Sequence, residues 1–255
     1  MIDIHCHLLP GLDDGPKDVS ESLRMAQQAV LDGIDTIIAT PHHKNGQYNN
    51  SKSLIIDKVR EMNQRLVEEN INLTVMPGQE VRIFGELLEE YRMEEILTLN
   101  NGGQYLFIEL PSNHVPRYTK KMLYDIQLNG LIPIIVHPER NREIIAEPEL
   151  LFQLVKDGAL TQVTASSITG FFGKTIQKFS MQLIEAELTH FIASDAHNTT
   201  NRPFQLAQAY GVIEKKYGID HVYLFQENAQ LLVSGKNVYK EEPQPVKRKK
   251  VLGIF

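Results

Sequence analysis

A single cysteine, Cys6, in 255 residues excludes an internal disulfide framework and suits a reducing cytoplasm. There is no basic excess either: 26 lysines and arginines against 32 aspartates and glutamates leave a formal net charge of −6. That balance argues against a broad nucleic-acid surface, although it leaves room for a local positive pocket. No apolar run approaches the roughly 20 residues that a membrane-spanning helix requires. The opening MIDIHCHLLPGLDDG lacks the basic start and apolar core of a secretory signal, and no internal repeat is visible. A soluble, cytoplasmic protein without a transmembrane segment is the expectation. Its length allows one large α/β domain, or two small ones, with a sizeable core.

What is present is an alternation of short β-rich runs and longer helical patterns. Residues 1–5, 35–40, 73–81, 105–110, 132–137, 160–164 and 190–194 are rich in Ile, Val, Leu and Thr. Most are apolar on both faces, as in a covered parallel sheet. Helical spacing marks 20–32, 57–69, 120–128, 149–156, 174–187 and 204–217, with Gly33, Gly130, Gly158 and Gly218 as stops. Seven βα units predict a closed or nearly closed α/β barrel, with an open doubly wound sheet as the alternative. The composition changes at 241–255 (EEPQPVKRKKVLGIF), which carries two prolines and a basic block at 247–250. The expected organisation is a domain over 1–240 and a flexible basic tail over 241–255. A docking or membrane-surface peptide is the sharper reading of that tail.

Polar residues gather where the predicted strands end. His5 and His7 are two apart, so a strand points both imidazoles the same way. Asp13-Asp14-Gly15 follows, a turn with carboxylates beside them. His42 follows the second strand in Thr40-Pro41-His42-His43, and Glu80 and Glu109 stand near the ends of the third and fourth. His137 closes the fifth, and Asp195 and His197 the seventh. An isolated His-x-His is weak evidence, but recurrence at strand ends is how parallel barrels assemble active sites. Imidazole and carboxylate without thiolate suit Mn, Fe, Zn or Co. Alternation points Cys6 away from this set, and Leu12 stands where the Cys-x5-Arg loop of cysteine phosphatases needs arginine. His43 is adjacent to a candidate ligand. His114, His190 and His221 are assigned to surface or packing roles.

With these motifs assembled, the chain resembles the polymerase and histidinol phosphatase (PHP) superfamily. It is closest to the stand-alone bacterial tyrosine-protein phosphatases of capsular and exopolysaccharide systems. The carrying residues are Asp3-Ile4-His5-Cys6-His7, residues 9–15, Ala39-Thr40-Pro41-His42-His43, Gly78-Gln79-Glu80, Ile108-Glu109-Leu110-Pro111, His137-Pro138-Glu139-Arg140 and Ser194-Asp195-Ala196-His197. The resemblance implies a distorted (β/α)7 barrel, TIM-barrel-like, with three metal ions, often Mn2+. It assigns His5, His7, Glu80 and Asp195 to the first ion. Glu80, Glu109 and His137 would hold the second, and Asp14, His42 and His197 the third. Arg140 and Arg202 match arginines placed near the substrate phosphate.

The implied reaction is attack of a metal-activated hydroxide on phosphotyrosine, with the arginines on the non-bridging oxygens. No general acid is assigned. The implied partners are phosphotyrosine proteins, among them a bacterial tyrosine kinase, and a homo-oligomer is compatible with the chain. A small-metabolite phosphatase, such as one for histidinol phosphate, is the alternative on the same scaffold. Nuclease activity and a non-catalytic kinase-binding role rank lower.

Overall fold

The computed structural model describes residues 1–247. Strand β1 (Ile2–Cys6) leads to helix α1 (Val19–Leu31), which starts where the Asp18 carboxylate accepts from the Glu21 amide. Two of the barrel strands then run in two pieces. β2 (Thr36–Ala39) resumes as β3 (His42–His43), and after α2 (Lys52–Glu68), β4 (Thr74–Pro77) resumes as β5 (Glu80–Arg82). Pro41 has no amide hydrogen for the ladder at the first break. At the second, a Cβ on Gly78 would lie 2.6 Å from Ile38 Cγ2, so only glycine lets the two strands approach so closely. The chain continues through α3 (Leu87–Arg92), β6 (Tyr105–Glu109), α4 (Thr119–Leu128), β7 (Ile132–Val136), α5 (Arg142–Ala146) and α6 (Glu149–Lys156). It ends with β8 (Leu160–Thr164), α7 (Ala165–Thr169), α8 (Lys174–Glu185), β9 (Phe191–Ala193), α9 (Leu206–Tyr217) and α10 (Ile219–Val233).

Every strand pairing is parallel, in a three-stranded sheet β1-β2-β4 and a six-stranded sheet β3-β5-β6-β7-β8-β9. Because β2 continues into β3 and β4 into β5, the sheets are two arcs of one seven-strand ring. Between β1 and β9 the ring is joined only near the strand ends. There the Asp195 amide donates to His5 O (2.8 Å) and the His7 amide to Ala196 O (2.9 Å). Hydrogen bonds therefore do not close the barrel along its height, which is the distortion of the expected (β/α)7 fold.

Alternation along the strands sorts side chains into two cores. On β6, Tyr105 and Phe107 join Ile134, Leu160 and Phe191 in one cluster, the barrel interior. Leu106 and Ile108 belong to the other, between strands and helices. Each expected strand is present with ends moved by about one residue, except that 73–81 is split in two. Helix α2 begins five residues earlier than its periodicity indicates, at the Ser51 cap. The short helices α3, α5 and α7 have too few turns to show a period.

Beyond residue 240 the chain has neither helix nor strand to 247, yet the Gln244 amide donates to Ala186 O (2.8 Å) and Val246 packs on the outer core. Most of the basic block and the apolar end lie outside the described residues. No described helix is long and apolar enough to cross a membrane.

Candidate metal centre

All nine imidazole and carboxylate residues expected from the sequence meet at the C-terminal rim of the barrel. His5 and His7 leave β1, His42 stands on β3, Glu80 opens β5 and Glu109 closes β6. His137 follows β7, and Asp195 and His197 follow β9, while Asp14 comes from the β1–α1 loop. That loop presses on β1 closely enough that a Cβ at Gly15 would lie 2.5 Å from His7 O. His137 (φ 37°) and Asp195 (φ 52°) both adopt left-handed backbone, an uncommon conformation that turns the chain at the rim.

Glu80 is the hub. Its Oε2 lies 2.8 Å from His42 Nδ1, 3.2 Å from His7 Nε2 and 3.5 Å from His5 Nε2, and its Oε1 2.8 Å from His137 Nε2. Asp195 Oδ1 is 3.5 Å from both His5 Nε2 and His7 Nε2. Asp14 Oδ1 is 3.3 Å from His197 Nε2 and 3.5 Å from His42 Nε2. Donor atoms converge in three groups: His5, His7 and Glu80; His42, Glu80 and Glu109; and His7, Asp14, His42 and His197. The middle group contains His42 rather than His137, whose ring approaches the other oxygen of Glu80.

The donor set fits cations by a specific criterion. His7 Nδ1 donates to Asp13 Oδ2 (2.6 Å), His5 Nδ1 to Gln162 Oε1 (2.9 Å), and His197 Nδ1 to the carbonyl of Asp195 (3.0 Å). Each partner atom is an oxygen, so a proton sits on Nδ1 and Nε2 is turned toward the shared space. Those three Nε2 atoms, with His42 Nδ1, Glu80 Oε2 and Asp195 Oδ1, are buried without any hydrogen-bond partner. Buried polar atoms are ordinarily satisfied, and six unsatisfied imidazole and carboxylate atoms around one space fit a site that can chelate metal ions.

Electrostatics show how tightly the groups are coupled. Burial opposes it, yet the charges of His42 and His5 hold Glu80 well below the usual carboxylate range. Asp195 is held down likewise, against burial, by Arg202 and Arg140. Burial, reinforced by the charge of Glu80, pushes Glu109 up to about 7. His137 and His197 are each pushed down to about 4, by burial first and then by Arg140 and His7 respectively. His7 goes the other way, raised by Asp13 against burial, so cation binding there must release a proton.

Arg140 and Arg202 both donate through Nη2 to Asp195 Oδ2, and the Nε of each is buried without a partner. A cleft of about 280 Å³ opens between them, His42, Glu109 and His137. Sequence reasoning left out four supporting residues. Asp13 orients His7, and Gln162 is the contribution of β8, the one barrel strand that supplies none of the nine. Arg82 grips Glu109 with two hydrogen bonds (2.9 and 2.8 Å). Asp3 accepts from the Ser194 amide and hydroxyl, beside Asp195. Asp13 carried a signal in its Asp-Asp-Gly turn, and Asp3 one in the Asp-Ile-His-Cys-His motif. His43 reaches Glu90 instead (3.4 Å), and the Cys6 thiol is buried against Ala196 O, with burial raising its pKa well above the ordinary value.

A parallel α/β ring carrying imidazoles and carboxylates on its C-terminal rim has the build of a metal-dependent hydrolase, as the resemblance to the PHP superfamily implies. The model of the capsular polysaccharide synthesis family CpsB/CapC matches residues 1–234, and the chain belongs to that family. It is 49% identical to the tyrosine-protein phosphatase YwqE of Bacillus subtilis over the full length of both. It is 40% identical to the putative tyrosine-protein phosphatase CapC of Staphylococcus aureus, again over both whole chains. A crystal structure from work on YwqE and on CpsB of Streptococcus pneumoniae, there called unique metal-dependent tyrosine phosphatases, superposes with a TM-score of 0.95 at 49% identity. The match covers 97% of this chain and all of that one.

Proposed function

We propose that this protein is a manganese-dependent protein-tyrosine phosphatase that hydrolyses phosphotyrosine on proteins, a bacterial tyrosine kinase among them, in the control of capsule or exopolysaccharide synthesis. The observation that carries the reading is a set of six buried imidazole and carboxylate atoms without hydrogen-bond partners, beside a cleft that His42, Glu109 and His137 line together with Arg140 and Arg202, whose Nε atoms are also without partners. Atoms of that kind hold cations, and guanidinium donors hold the oxygens of a phosphoryl group. Full-length identity to tyrosine-protein phosphatases supports the substrate class.

In this reading His5, His7, Glu80 and Asp195 would hold one ion, Glu80, Glu109 and His137 a second with His42 close by, and Asp14, His42 and His197 a third. When bound, such ions supply positive charge to the phosphoryl oxygens and an activated water for the attack. The protein does the rest by position. Arg140 and Arg202 hold the non-bridging oxygens, so that the ester oxygen points out of the cleft. Asp13 and Gln162 hold His7 and His5 through Nδ1 and so keep Nε2 turned toward the shared space. A phenolate is a good enough leaving group that the site needs no dedicated acid.

Turnover of a phosphotyrosine peptide and of histidinol phosphate, measured side by side with and without Mn2+, tests the proposal. The expected result is peptide hydrolysis that requires the metal, with little turnover of the metabolite. Preference for the metabolite assigns the alternative activity, and full activity after metal removal overturns both. The domain would span 1–240, with 241–255 as a separate tail. Deletion from residue 248 onward is expected to leave peptide turnover intact.

A further inference from the structure

We propose that Phe171 and Phe172 form an aromatic wall beside Arg140 that selects the phenyl ring of an aryl phosphate, an inference that rests on the phosphatase reading above. The Phe172 ring centre lies 5.5 Å from the Arg140 guanidinium carbon, and the Phe171 ring meets Phe172 edge-on at 5.9 Å and 75°. Among the described residues neither phenylalanine belongs to a hydrophobic core cluster, and Phe171 is 47% exposed. A lone exposed apolar residue needs no explanation, but two adjacent rings packed against a guanidinium that itself lines the polar cleft offer a binding surface.

The pair is held in place rather than carried on a loose loop. Gly170 (φ 85°) ends α7 in the left-handed region, and Gly173 (φ 94°) opens α8 in a conformation natural only to glycine. Between them the Phe171 amide donates to Ser166 O (3.0 Å) and the Gly173 amide to Gly170 O (2.9 Å). Little freedom is then lost when a ligand packs on the rings.

The geometry assigns these rings a task distinct from that of Arg140. A guanidinium gripping the phosphoryl oxygens treats all phosphate monoesters alike, whereas the group one oxygen away from phosphorus meets Phe172. A flat apolar phenyl gains area and edge or face contact there. The short aliphatic link of phosphoserine would bring its own polar backbone against the rings instead. Discrimination between aryl and alkyl esters therefore resides in the wall, and reactivity in the rim.

The test compares kcat/KM for a phosphotyrosine peptide and the matched phosphoserine peptide in the full-length, Mn2+-loaded protein. Phe172→Ala is expected to lower the aryl-to-alkyl ratio about tenfold, mostly through KM, and Phe171→Ala about threefold. Phe172→Tyr, which keeps a ring, should restore the ratio. Equal losses for both peptides would show that Phe172 merely props Arg140 and would overturn the proposal, as would a ratio that does not move. If the unmodified protein hydrolyses neither peptide, the phosphatase reading fails and the wall falls with it. If it hydrolyses phosphotyrosine but all variants keep its ratio, the wall alone fails.

Discussion

The barrel interior holds two regions built on the same strands with opposite chemistry. In its lower part Tyr105, Phe107, Ile134, Leu160 and Phe191 are buried apolar or aromatic side chains in mutual contact. At the rim, one inward step further along, Phe107 gives way to Glu109 and the acceptors are buried but unpaired. The floor owes its stability to exclusion of water, so any polar atom there would be a cost. The rim can tolerate unpaired polar atoms if cations satisfy them. The floor should therefore fold the protein whether or not metal is present, whereas the rim should depend on it.

The strongest way to break that contrast is at Glu80, whose carboxylate reaches four of the imidazoles. Glu80→Gln is expected to lower phosphotyrosine-peptide turnover about a thousandfold and to reduce metal content by elemental analysis. In the unmodified protein, chelation should lower the thermal midpoint and added Mn2+ restore it, since a ligand of the folded state stabilises it. Next comes the floor itself. Ile134 pairs in register with Phe107 and Leu160 and is fully buried, so Ile134→Ala should cost about 2–5 kcal/mol in urea unfolding. Activity per folded molecule should stay within about twofold, because no rim group is lost. A collapse of activity with folding intact would show that floor and rim are not separable.

A smaller effect sharpens the comparison where the two regions touch. Gln162→Leu removes the acceptor that orients His5, and metal affinity should weaken about 10–100-fold, read by titration with Mn2+. Activity should return at high metal concentration. An unchanged affinity would show that His5 needs no such partner.

The smallest effect lies outside the rim, at His190, a buried imidazole whose Nδ1 accepts from the Thr161 amide (3.1 Å). Burial first, and Lys240 second, push its pKa down to about 3 from an ordinary 6.5. Between those values the unfolded chain binds the extra proton, so this contribution is complete above pH 6.5 and is lost as pH falls. The limiting slope is about 1.4 kcal/mol per pH unit. Between pH 7.5 and 5.5 the urea stability of His190→Gln should fall about 1 kcal/mol less than that of the parent. Equal losses would place the acid sensitivity elsewhere.

How far the sequence could be read differs from element to element. β8 was legible to the residue because 160–164 is a plain run of β-formers between Gly158 and a helical pattern. The interrupted strand at 73–81 was not, since the clash that makes Gly78 necessary comes from Ile38 on the neighbouring strand. The site divides in the same way. The nine rim residues could be found because each follows a strand signal. Gln162 and Arg82 could not, because a buried amide or an arginine inside a strand says nothing until its partner is known. The Phe171-Phe172 pair was likewise silent, two apolar residues between glycines.

The sequence by itself determined the order of strands and helices, the position of each acid and imidazole at a strand end, and the absence of the Cys-x5-Arg loop that a thiol nucleophile would need. These follow from local periodicity and residue chemistry, which act over a few positions. Only the tertiary structure decided which imidazole shares which carboxylate, how Asp13 and Gln162 hold His7 and His5 through Nδ1, and that His42 leans toward Glu109 while His137 takes the other oxygen of Glu80. Those choices depend on how the strands curve into a ring and on the two backbone hydrogen bonds that join the end of β1 to the end of β9, contacts between residues some 190 positions apart.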